Sequence, residues 1–118
     1  DQIELINIYP NPYFGQNPEE TIPQNRKVYF THLGIGMTTI RIFTIAGDLV
    51  QTIEHEIMSE NSLDDSRAIW DLRNDNGIPV ASGVYFAHIT VQDANGNDVG
   101  EKVLKLAIFQ PEERLDVF

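Results

Sequence analysis

Apolar side chains along this chain recur at short, strand-like intervals. In Thr38–Ala46, TTIRIFTIA, Ile40 and Ile42 fall on one side of an extended backbone, with Arg41 and Phe43 on the other. Gly47-Asp48 offers a turn and Leu49–Glu56 returns, so RIFTIAGDLVQTIEHE predicts a hairpin. Val84–Gln92 and Val99–Phe109 predict a second hairpin about DANGND, where Asn95-Gly96 suits a turn needing positive φ. Arg67–Leu72 places Ala68, Trp70 and Leu72 on one face. Ile3–Tyr9 and Lys27–His32 complete a set of seven predicted strands.

Turn-rich stretches separate these runs. In PNPYFGQNPEETIPQN, Pro10, Pro12, Pro18 and Pro23 withhold backbone donors and mark a long loop. IMSENSLDDS and RNDNGIPVASG are polar connections, and no stretch carries a helical period. Short strands at this spacing predict an all-β fold, a seven-stranded antiparallel immunoglobulin-like sandwich. Trp70 is its expected centre, between two sheets, with Ile40, Ile42, Tyr85 and Ile89 nearby. The sandwich is expected over residues 1–109. Pro111 then breaks the last strand and opens a C-terminal extension, 110–118.

The 118 residues suit one domain with its own core. Eight Lys and Arg against 18 Asp and Glu give a net charge of −10, which repels phosphate backbones and anionic membranes. Neither nucleic acid nor membrane insertion is therefore expected, and no apolar run is long enough to span a bilayer. The absence of cysteine excludes disulfides and thiolate metal sites. DQIELINIYP lacks the basic start and apolar core of a secretory signal, so any export signal of that type is expected outside this sequence.

Candidate chemistry is sparse. His32, His55 and His88 fall in different predicted strands, which gives no convergent metal or acid–base set. Ser59, Ser62, Ser66 and Ser82 lie in no nucleophile-elbow pattern, and TIAGDL lacks the glycines of a phosphate-binding loop. Catalytic residues, cofactor and resident metal are each expected to be none. The Asp/Asn-rich loops at Asp64-Asp65, Asp71–Gly77 and Asp93–Asp98 offer oxygen donors. Asp93, Asn95 and Asp98 form the calcium candidate, set against the same residues serving only the turn. Most aromatics are expected in the core, with Tyr13 and Phe14 of the proline loop exposed.

Four motifs stand in a recognisable order: YPNPY after the first strand, TIRIFTIAGDLVQTIEHE, WDLRNDNGIPVASGVYFAHI and the final GEKVLKLAI. Together, from Ile6 to about Phe109, they resemble the C-terminal sorting domain of type IX secretion substrates. That family is similar to the immunoglobulin-like domain of the flagellar hook-capping protein. The resemblance implies a non-enzymatic domain at the C-terminus of a larger exported protein, whose upstream cargo domain shares the polypeptide. It implies recognition by the outer-membrane secretion translocon, then processing by a surface sortase, with a secreted or cell-surface location reached through the periplasm. The acidic stretch QPEERLDVF departs from the family, many of whose members end within or just after the last strand. The alternative is a generic immunoglobulin-like adhesion, spacer or carbohydrate-binding module of a surface protein.

Overall fold

The computed structural model describes residues 2–15, 26–59 and 66–110. The predicted tail from Pro111 onward, Pro18, Pro23, Ser62 and Asp64-Asp65 lie outside them. Two sheets face each other. A three-stranded sheet has the order β1 (Asn7–Tyr9), β3 (Val28–Thr31), β6 (Ala68–Trp70). A five-stranded sheet has the order β2 (Tyr13–Phe14), β8 (Asp98–Phe109), β7 (Gly83–Gln92), β4 (Gly36–Thr44), β5 (Leu49–Ile57). No α-helix occurs among the described residues.

The period-two pattern explains the core. In β4, Ile40 and Ile42 are buried and Arg41 is exposed between them. In β6, Ala68 and Trp70 point inward and Ile69 outward. Inward residues of both sheets, among them Ile8, Val28, Phe30, Ile40, Ile89 and Leu106, form one hydrophobic cluster. Trp70 is 1 % exposed, and its ring meets Tyr85 of the opposite sheet edge-on at 6.1 Å. Its indole N–H donates to the Arg73 carbonyl at 2.9 Å, so the polar tip of this large side chain is satisfied.

Both predicted hairpins are present. At the first, Gly47 N donates to Thr44 O and Thr44 N to Asp48 O. At the second, Gly96 N donates to Asp93 O, and Gly96 takes φ +83°. One glycine is required for a different reason. Gly36 has φ +117°, and a Cβ there would lie 2.0 Å from the Gln92 carbonyl oxygen.

Three expectations need correction. Ile3–Tyr9 is not one strand: Gln2–Leu5 forms a 3-10 turn and only Asn7–Tyr9 is extended. Lys102 accounts for the difference. Its ammonium donates to the Glu4 and Ile6 carbonyls at 2.8 and 2.9 Å, taking acceptors that a strand would offer a neighbour. The described strands also number eight rather than seven, and not all pairs are antiparallel. Tyr13 and Phe14 run parallel to Ile108 and Phe109. A two-residue strand behind two prolines carries no period of its own to read. It also reverses the expectation for Tyr13, which is fully buried, whereas Phe14 is 58 % exposed as expected.

One denaturation series tests this packing in both directions. Trp70→Ala is expected to lose about 3–5 kcal/mol of stability. Thr38→Val is expected to gain about 1 kcal/mol, because the Thr38 side chain is 1 % exposed and its hydroxyl has no hydrogen-bond partner. An unchanged midpoint for the first variant, or a lowered one for the second, contradicts the assignment.

Candidate functional site

The structure keeps the histidines apart. His32 follows β3 at φ +64°, and His55 lies in the edge strand β5. His88 in β7 faces Glu101 of β8, with Nε2 to Oε1 at 2.7 Å on the outer face of the large sheet. Among the described residues no group of three or more His, Asp or Glu side chains is placed to hold a metal ion. Ser82 has a structural use: its hydroxyl accepts from the Gln110 N–H at 2.8 Å.

The Asp/Asn loops are built by their own side chains. Asn74 Oδ1 accepts from the amides of Asn76 and Ile78, both at 2.9 Å. Asp71 Oδ1 accepts from Arg73 N at 3.2 Å. In the calcium candidate, Asp93 Oδ1 accepts from Asn95 N at 2.9 Å and Asn97 N at 3.0 Å. Asp98 Oδ1 accepts from the Gln92 side chain at 3.3 Å. The Asn97 amide, more than any other group, holds the Asp93 carboxyl below its ordinary pKa. A cation here has to compete with two amide donors for that oxygen.

Three surface features remain. Two shallow clefts flank the β7–β8 turn, one of about 250 Å³ lined by Ile3, Ile6, His32 and Val91, the other of about 300 Å³ lined by Met37, Glu56 and Met58. Where the chain leaves β8, the exposed rings of Phe14 and Phe109 stack at 5.1 Å with a 10° interplanar angle. The third feature is the outer face of the small sheet. Strand register sets Tyr9 opposite Tyr29 and Tyr29 opposite Ile69, one row across all three strands. Lys27 Nζ lies 5.8 Å and Arg67 Cζ 4.9 Å from the Tyr29 ring centroid. The sequence offered Tyr9, Tyr29 and Ile69 no common signal, because three strands distant in the chain supply them.

The last strand is tied to the start of the chain. Asn11 inserts its side-chain amide against the free edge of β8, with Nδ2 donating to Lys105 O at 2.8 Å and Oδ1 accepting from Ala107 N at 3.2 Å. Gly15 N donates to Phe109 O at 2.8 Å. Lys102 reaches Glu4 and Ile6 from the same strand.

Two solved structures share this architecture. PorZ, an essential bacterial surface component of the type IX secretion system of Porphyromonas gingivalis, is similar at a TM-score of 0.60 and 25 % identity, over 92 % of this chain and 12 % of its own. Dimeric latent PorU from the same organism is similar at a TM-score of 0.60 and 16 % identity, over 90 % of this chain and 9 % of its own. At that identity the PorU likeness speaks to the fold. This chain thus spans about a tenth of the length of the two structures. No family model and no curated protein matches it.

The Asp93 turn yields a measurable pH dependence. A carboxyl whose folded pKa is depressed adds stability above its unfolded value, near 3.8, and loses it as pH falls through the lower folded value. Asp93→Ala is expected to melt below the parent at neutral pH, with the gap closing in acid. The parent's melting temperature is expected to be the same in EDTA and in calcium. A calcium-dependent rise in that temperature contradicts the turn-only reading.

Proposed function

We propose that this chain is a non-catalytic, immunoglobulin-like C-terminal domain of a larger exported bacterial protein, acting as its type IX sorting and surface-anchoring signal. The observation that carries the reading is the likeness to PorZ over 92 % of the chain, in a protein of that secretion system. The ordered motifs from Ile6 to about Phe109 support it independently. The proposed partners are the outer-membrane translocon and a surface sortase, which would act on cargo carried upstream in the same polypeptide. The hairpin of β4 and β5 serves as scaffold in this reading, and the recognised surface includes the last strands.

The architecture favours a label read after folding. β8 pairs with β7 from Gly83 opposite Ile108 to Gln92 opposite Asp98, and its other edge meets Asn11 and β2. A surface containing β8 exists only once the end of the domain has been made. The extension after Gln110 contributes as well: Leu115, Val117 and Phe118 are apolar residues in an acidic segment, which suits contact with a partner.

A fluorescent cargo fused to the domain, expressed in a strain with the type IX system and followed by surface fractionation, tests the reading. Removal of residues 99–118 is expected to abolish both folding and surface display. Removal of 111–118 retains Gln110, whose amides bond Ser82 Oγ and Val80 O. That version is expected to fold and to lose most display, with cargo retained in the periplasm. Normal display from the fusion lacking 99–118 rejects the sorting role.

A further inference from the structure

We propose that the outer face of the small sheet is a docking site for an extended, acidic peptide segment of a partner protein. This inference does not depend on the secretion reading. It begins from composition. The chain carries a net charge of −10, yet β1, β3 and β6 contain no acidic residue. Lys27 and Arg67, both exposed, adjoin these strands, and the exposed Asp71 follows β6. The face thus carries two exposed cations against the single carboxylate of Asp71, a locally basic patch on a strongly acidic molecule.

The apolar content of the face is equally unusual. Tyr9 is 69 % and Ile69 53 % exposed, and they flank the half-buried Tyr29 in one straight row. Adjacent strands lie about 4.8 Å apart, so the row runs about 10 Å across the sheet. Lys27 and Arg67 occupy the two flanks of this row, one before Tyr29 along β3 and one beside it before β6. Both hold their cations against the Tyr29 ring at 5.8 and 4.9 Å. The ring restricts where the cations sit before any ligand arrives, which lowers the ordering cost of binding.

An extended peptide that alternates acidic and aliphatic residues matches this arrangement. Its aliphatic side chains cover Tyr9, Tyr29 and Ile69, and its carboxylates meet Lys27 and Arg67 on the flanks. Other occupants fit less well. A second copy of this chain brings another −10. A nucleic acid or anionic membrane carries far more negative charge than a short peptide segment and meets correspondingly stronger long-range repulsion. An anionic glycan offers hydroxyls in need of side-chain partners, and the outward positions of the three strands supply only Asn7, Thr31 and the tyrosine hydroxyls.

The test uses the whole 118-residue chain and a short fluorescent peptide of alternating Glu and Leu, with a Gln/Leu peptide as control. Fluorescence anisotropy is expected to show saturable binding of the Glu peptide that weakens as salt rises, and little binding of the control. Lys27→Gln with Arg67→Gln should reduce affinity about tenfold or more, and Tyr29→Ala by about tenfold. Both cations are exposed, so the double variant is expected to melt like the parent, and amide NMR shifts should map to β1, β3 and β6. Four results overturn the proposal: equal binding of the control peptide; shifts that map elsewhere; binding of dextran sulfate without binding of the Glu peptide, which gives the face to a glycan; and peptide binding only by a chain ending at Gln110, which makes the chain's own residues 111–118 the occupant.

Discussion

The closure of β8 onto both of its neighbours ties the first and last described segments of the chain into one sheet. One edge of the strand pairs with β7 along nearly its whole length. The other receives the first segment of the chain through the Asn11 amide, the short parallel pairing of Tyr13 and Phe14, and the amide of Gly15. Lys102 adds two carbonyls of the opening 3-10 turn. An open strand edge invites pairing with other chains, and here side chains and a two-residue strand cover part of it. These contacts join residues more than ninety positions apart, so their closure carries the entropy cost of long-range pairing.

That dependence links packing to the proposed role. The burial of Trp70 between the sheets and the seating of Tyr13 both need the five-stranded sheet complete, because Tyr13 is held through β8. A domain whose first and last segments complete one another is a sound label for a finished polypeptide. The likeness to part of PorZ places the same architecture within a type IX secretion component.

The sequence announced the regular parts of the fold and little of the surface. β4, β5, β7 and β8 are long, alternate in part and meet at glycine turns, so local pattern located them within a residue or two. Trp70 and its inward companions followed from the same period. What escaped was set by long-range contact. Lys102 withdraws two carbonyls from the first predicted strand, a distant side chain overriding a β-branched run. Tyr13 looks exposed because prolines surround it, and its burial comes from pairing with Ile108. The Tyr9–Tyr29–Ile69 row needed the register of three strands. Asp93 was legible as a turn residue and as a cation candidate alike, and the structure assigns its Oδ1 to two backbone amides.

Native-state hydrogen exchange on the chain carrying Asn11→Ala measures whether the two ends of the domain close as one unit. Asn11 is exposed and contributes no core volume, so its loss removes the bridge to Lys105 and Ala107 without opening a cavity. If the first segment and β8 close as one unit, exchange should accelerate by a similar factor at Ala107, at Phe14 and Gly15, and along β1. Acceleration confined to Ala107, with β1 and β2 exchanging as in the parent, would show that the two ends fold independently and would contradict the account.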